Sequence, residues 1–159
     1  MIQRVQTLFL LGTMALLGVL ETKILPFASL LHGVTPNDAR HAEYNDGNYT
    51  ISDNSGLIIL SAAIILVLAA AIFLYSNRKR QITIVTIANV LIGILTVLTA
   101  YLPKAAASHL LNEPNGTLPD IQMNYLGYAD LIAALALSSL AVYFIRKDEK
   151  LVRSADRLR

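Results

Sequence analysis

Leu57-Ile-Ile-Leu-Ser-Ala-Ala-Ile-Ile-Leu-Val-Leu-Ala-Ala-Ala-Ile-Phe-Leu-Tyr75, the short link Ser76-Asn-Arg-Lys-Arg-Gln81 and Ile82-Thr-Ile-Val-Thr-Ile-Ala-Asn-Val-Leu-Ile-Gly-Ile-Leu-Thr-Val-Leu-Thr-Ala-Tyr-Leu102 decide the fold. Neither apolar run holds an acid or a base, and each is close to the roughly 20 residues a helix needs to cross a bilayer. A polar link this short makes the two helices an antiparallel hairpin. Working outward, Val5–Leu20 and Tyr125–Ile145 repeat the pattern, the latter interrupted only by Asp130. The four runs take up about half of the 159 residues. The expectation is an all-α membrane protein: a four-transmembrane-helix antiparallel bundle with a small extracytoplasmic β-hairpin cap and helices at about 5–23, 57–75, 82–102 and 125–145. External loops are expected at 24–55 and 103–124, and a basic tail at 146–159, all within one domain covering 1–159.

Composition agrees and excludes several classes. The chain is 55% hydrophobic, only 15% charged, and has a mean hydropathy of +0.54. A soluble domain carries about 25% charge. No cysteine is present, which rules out disulfides, thiol chemistry and Cys-based metal clusters. The pieces outside the runs are too small to bury cores of their own, since isolated chains under about 40 residues rarely fold unaided.

The basic pI near 9.0 is a topology signature and points to no nucleic acid. Arg4, Arg78, Lys79, Arg80, Arg146, Lys147, Lys150, Arg153, Arg157 and Arg159 flank one set of run ends, ten against Lys23, Arg40 and Lys104 at the other. Lys and Arg concentrate on the cytoplasmic side of membrane proteins, so both termini and the 76–81 link are expected inside. Most acids run the other way. A cleaved signal peptide is the rival reading for residues 1–25. Glu21, Thr22 and Lys23 make a poor approach to a small-residue cleavage site, so a retained helix is expected, with Arg4 and Lys23 snorkelling at its ends.

All five prolines stand at or beyond the outer ends of the runs. Glu43–Ile51, with Asp46-Gly47 between β-prone stretches, reads as a hairpin, and a lone hairpin is marginal in water. Thr117–Met123 is its nearest expected partner. Asn48-Tyr-Thr50 and Asn115-Gly-Thr117 match the glycosylation triplet but read here as loop composition.

Within the runs, Thr86, Asn89, Gly93, Thr96 and Ala100 recur at helical steps and read as a packing seam, where small residues permit close approach and Asn bonds across helices. Ala129, Ala133, Ala134, Ser138 and Ala141 offer a second seam, and Ala62/Ala69 with Ala63/Ala70 a third. Tyr75, Tyr101, Tyr125, Tyr128, Tyr143 and Phe144 lie at run ends, as headgroup-level anchors do. Asp130, about 7–8 Å into its helix, is costly there unless it faces the bundle or an aqueous cavity. It reads as an outward-facing proton or ion site, as a strut paired with Lys23 or Lys104, or as a helix-start acid helped by the dipole. Glu21 and Lys23 read as an interfacial ion pair, with Lys104 a further candidate.

His32, His41 and His109 are external and lack ligand spacing, so no metal or other cofactor is expected. No histidine falls within a run, which excludes a bis-histidine haem in the membrane. Phosphate-binding loops, nucleophile elbows and paired-carboxylate motifs are absent. In the tail, read as a continuing helix, Arg146, Lys150, Arg153 and Arg157 share a face, Leu151, Val152, Ala155 and Leu158 another, and Glu149 precedes Arg153 by four. A basic amphipathic helix beside a membrane contacts anionic lipid or a partner.

The opening Met1-Ile-Gln-Arg-Val-Gln-Thr-Leu-Phe-Leu-Leu11 and the closing Ile145-Arg-Lys-Asp-Glu-Lys-Leu-Val-Arg-Ser-Ala-Asp-Arg-Leu-Arg159 resemble an uncharacterised family of four-helix inner-membrane proteins from Bacteroidota, a domain of unknown function. The resemblance implies a Gram-negative inner membrane and four helices, and it transfers no catalytic residue. As both words lie at the inner face, they are expected to pack together or share a partner. The functional expectation is a non-enzymatic accessory or scaffold subunit of a larger inner-membrane complex, in contact with lipid and with other subunits or itself. The alternative is a small oligomeric transporter or channel using Asp130 and Asn89. A third class, an envelope enzyme, would need the three histidines to converge.

Overall fold

The computed structural model describes residues 2–30, 48–75, 77–110 and 121–156, with the side chains at 2–4, 30, 107–110, 155 and 156 outside that description. Four helices dominate it: α1 (Ile2–Glu21), α2 (Ser55–Phe73), α3 (Arg78–Leu110) and α4 (Tyr125–Asp156). Three of them, α2, α3 and α4, contain stretches long and apolar enough to cross a membrane, whereas the apolar part of α1, Val5–Glu21, is shorter.

Each helix buries a stripe with alternating steps of three and four. The stripes are Gln6, Leu10, Thr13, Leu17 and Leu20 on α1, and Leu57, Ser61, Ile64, Leu68 and Ala71 on α2. On α3 the stripe is Gln81, Val85, Ala88, Ile92, Leu95 and Thr99, and on α4 it is Leu131, Ala134, Ser138, Ala141 and Ile145. This period lays helices side by side at small crossing angles, as in coiled coils and four-helix bundles. Neighbours in the chain are neighbours in space, and α1 closes the ring on α4. The direction of α1 against α4 is fixed by three contacts. Gln6 Nε2 donates to the Phe144 carbonyl (3.2 Å), Phe9 stacks on Phe144 (5.4 Å between centroids), and Thr13 faces the Ala134 carbonyl at 3.5 Å. The two helices are antiparallel, and the start of α1 packs beside the apolar end of the α4 run.

The seams expected from small residues are displaced on α2 and α3 and met in part on α4. On α3 the buried stripe runs one position from Thr86, Asn89, Gly93, Thr96 and Ala100. Thr86 is exposed, and a Cβ on Gly93 would meet nothing within 4 Å. On α2, Ala63 and Ala70 are exposed; on α4, Ala134, Ser138 and Ala141 are buried but Ala129 and Ala133 are not. The bundle centre mixes large aliphatic side chains with small ones such as Ser61, Ala88, Ala134 and Ser138, and the small residues at Ala63, Ala70, Thr86 and Ala133 sit at its flanks.

Helix α3 differs from expectation at both ends. It starts at Arg78, four residues early, because Asn77 caps it: Asn77 O accepts from Gln81 N (3.0 Å) and Asn77 Oδ1 from Arg80 N (3.3 Å). It also continues through Pro103 to Leu110 instead of ending at 102. Proline lacks the N–H that would bond the carbonyl four residues back, here that of buried Thr99. Tyr128 Oη donates to this carbonyl instead, at 3.0 Å. The helix therefore survives its proline because α4 supplies the missing donor.

At the end of the bundle opposite the 74–77 link, three short strands form a sheet of order β2-β1-β3: β1 (Ala28–Leu30), β2 (Asn48–Tyr49) and β3 (Ile121–Met123). Both outer strands pair antiparallel with β1, with Ala28 opposite both Tyr49 and Met123. Residues 121–123, the end of the expected partner segment, thus join the same sheet as residues 48–49, but through β1, which falls within the expected 24–55 external loop. The Asp46-Gly47 turn lies outside the described residues. Phe27 anchors the sheet: fully buried, it donates N–H to Tyr49 O (2.8 Å), accepts from Asn124 N (2.9 Å) and meets Tyr128 edge-on at 5.3 Å. It lies over Gly127, where a Cβ would come within 2.9 Å of its ring and 3.1 Å of the Pro26 carbonyl.

Candidate functional site

Three polar constellations stand out on this frame. The first ties the sheet end of α1 to the approach to α2. Glu21 and Lys23 each bond onward along the chain: Glu21 Oε1 accepts from buried Ser61 (2.8 Å), and Lys23 Nζ pairs with Asp53 Oδ1 (3.2 Å). Asp53 closes a short 3-10 turn, Ile51–Asp53, and its other oxygen accepts from Thr50 N (2.7 Å) and Thr50 Oγ1 (2.6 Å). Asn54 then caps α2, accepting from Gly56 N at 2.9 Å. Asp53 was not singled out in the sequence, although Thr50-x-x-Asp53 before an apolar run is a recognisable cap signal. Lys104 is exposed on α3 near the same end.

The second constellation lies midway along α3 and α4. Ser138 Oγ donates to Asn89 Oδ1, and Asn89 Nδ2 reaches Ser139 Oγ at 3.4 Å. Ser138 is buried, Asn89 half-buried and Ser139 exposed. Asn89 alone of its stripe bonds across to α4. Thr86 and Thr96 turn their hydroxyls back to the carbonyls of Ile82 and Ile92, both at 2.8 Å, a satisfaction within the helix common for threonine. Gly93, Thr86 and Ser139 accordingly lie along the outer flank of the α3/α4 pair.

Asp130 stands apart from both. It lies on the same side of α4 as Leu137, which faces Gly12, and Phe144, which faces Phe9, each seven residues further on. One of its carboxylate oxygens, Oδ2, is buried without a hydrogen-bond partner among the described residues. The pairing with Lys23 expected for a strut is not what holds Lys23, whose ammonium is bound by Asp53.

The third constellation is basic. Helix α4 continues unbroken to Asp156, and Arg153 pairs with Glu149 at 2.6 Å. Arg78 at the start of α3 pairs with Asp148. Arg146, Glu149, Lys150 and Arg153 with Ile82 line a cleft of about 280 Å³ between the α3 and α4 ends. Leu151 and Val152, on the tail's apolar face, are half-exposed. Arg157, His32, His41 and the side chains of Arg4 and His109 lie outside the described residues. Among the described residues no three His, Asp or Glu side chains cluster as a metal site would.

No curated protein and no solved structure matches the chain. One family model does, over residues 2–158, so that nearly every residue discussed above falls within the match. The chain belongs to the family described as Domain of unknown function (DUF4293).

Proposed function

We propose that the protein is a non-enzymatic accessory subunit of the bacterial inner membrane. It spans the bilayer four times with both termini cytoplasmic and stabilises a larger assembly by offering the outer flank of α3 and α4 to a helix of another subunit or of a second copy. The observation that carries this reading is the composition of that flank. At hydrocarbon depth it presents exposed Thr86 and Ser139, half-buried Asn89 and an open space before Gly93. Lipid tails gain nothing from polar groups or from a glycine gap, whereas a neighbouring helix packs closely on small residues and bonds to Asn or Ser.

Charge supports the orientation: along the sequence, ten of the 13 Lys and Arg flank the start of α1, the α2–α3 link and the end of α4, as on a cytoplasmic face. Helix α1 joins the spans despite its length. Val5–Glu21 covers about 26 Å, short of the roughly 30 Å core, a mismatch met by local thinning and snorkelling ends. Extraction at native expression level in mild detergent, followed by the mass of the intact particle and identification of its components, tests the proposal.

A second reading is favoured by the unpartnered Asp130 oxygen: a small oligomeric transporter or channel in which this carboxylate handles a proton or cation. Under it, Asp130→Asn abolishes ion uptake into proteoliposomes while the fold persists. For a scaffold there is no flux to lose, and the same substitution, which removes a buried unpaired charge, leaves the melting temperature unchanged or raised.

A further inference from the structure

The cleft between the ends of α3 and α4 has a chemistry of its own, separate from the flank at mid-membrane. Its walls are Arg146, Lys150 and Arg153 with a single carboxylate, Glu149, and that carboxylate is already engaged by Arg153 at 2.6 Å. Arg146 and Lys150 have no carboxylate partner among the described residues, and both residues are exposed. The nearby Asp148 is held by Arg78 and leaves the cleft's positive charge intact. Ile82, the first residue of the α3 apolar run, supplies an apolar wall.

Arg146 follows directly on Ile145, where the α4 apolar run ends, so cations and apolar wall meet at the level of the membrane surface once α4 spans the bilayer. We propose that this cleft seats the phosphate headgroup of an anionic membrane phospholipid. The two unpaired cations and the shared Arg153 take up the phosphate oxygens, a geometry to which guanidinium groups are suited. Ile82 meets the first methylenes of the tails. A volume of about 280 Å³ holds a headgroup and excludes the acyl chains, which remain in the bilayer. The proposal rests on the membrane-spanning part of the functional reading and not on the partner subunit.

The test uses the full-length protein in detergent, with lipid retention measured by native mass spectrometry after addition of phosphatidylglycerol or phosphatidylcholine. Wild type is compared with Arg146→Gln/Lys150→Gln and with Lys79→Gln/Arg80→Gln, which removes two charges from the same end outside the cleft. The expected result is selective retention of phosphatidylglycerol, reduced about tenfold or more by the cleft variant and left near wild type by the control. The unliganded melting temperature of the cleft variant should match wild type, which separates loss of the seat from loss of the fold. Equal retention of the two lipids overturns the proposal, as does an equal loss in the control variant, which would mean diffuse charge only. Thermal stabilisation by inorganic phosphate alone, matching that by the lipid, would assign the cleft to a soluble anion and likewise overturn it. So would a cleft variant that keeps its lipid but loses a co-purifying acidic protein. Failure of the lipid test with a stoichiometric complex intact would leave the scaffold standing, and the reverse outcome would leave the lipid seat standing.

Discussion

At Pro103 the third helix loses a backbone donor and keeps its course, because a phenol from the next helix takes its place. The Tyr128 hydroxyl bonds the Thr99 carbonyl, and Thr99 is fully buried. Removing the hydroxyl leaves an orphaned buried acceptor, which costs about 1–3 kcal/mol. Tyr128→Phe should therefore lower the apparent stability in detergent. Pro103→Ala restores an N–H four residues from Thr99, so Tyr128→Phe should cost much less in that background. Equal costs in both backgrounds would show that the phenol acts through packing alone. Gly127 is a second point of contact where one atom decides. An added methyl would stand 2.9 Å from the Phe27 ring, itself fixed between the sheet and Tyr128, and nearby backbone bars retreat. Gly127→Ala should destabilise by about 1–3 kcal/mol, the range for overpacking a filled site, read as a drop in melting temperature.

At the scale of elements, the period of the helices was legible and their phase was not. In a soluble protein the alternation of polar and apolar residues marks the buried face, but here the outer face is apolar as well. Exposed Val90, Val97, Leu66 and Ile132 look no different in sequence from buried Ile92 or Leu131. Small residues were the remaining guide, and they gave a mixed answer: three of the five on α4 are buried, whereas those on α3 lie one position from the true seam. The hairpin cue at Glu43–Ile51 pointed to β structure at the correct end, and β3 to its sheet. The central strand stayed hidden because Ala28–Leu30 is three residues long and starts only two residues after Pro26. Of the polar sites, the Glu149–Arg153 pair followed from spacing alone. The bonds from Glu21 to Ser61 and from Asn89 to Ser138 depend on which helix lies beside which, and the sequence does not state that. The turn into α2 shows how such ties act together: Asp53 serves Thr50 twice and Lys23 once. Asp53→Ala should cost on the order of 1 kcal/mol, as loss of a helix cap does. Lys23→Ala should cost less, because the Lys23 side chain is 61% exposed and such pairs are screened by water. A thermal melt in which the lysine variant is the weaker of the two would contradict that order.

At the scale of the whole molecule, four helices close a ring, a small sheet covers one end, and cations gather at the other. The buried stripes satisfy the helices within the ring, and the outer flank of α3 and α4 is left with polar groups and a gap midway along the two helices. Gly93→Leu separates fold from assembly at that flank. A Cβ at this position meets nothing within 4 Å, and leucine favours the helix over glycine, so the isolated protein should melt at or above wild type, yet a helix docked there would be displaced. The decisive measurement is the mass of the native particle extracted in mild detergent, for wild type and for Gly93→Leu, with every component identified. A scaffold subunit gives a fixed stoichiometric complex in the wild type and its dissociation in the variant, with the released protein still folded. A lone wild-type monomer, or a particle of unchanged mass in the variant, would contradict a docking role for this flank and turn attention to ion movement through Asp130.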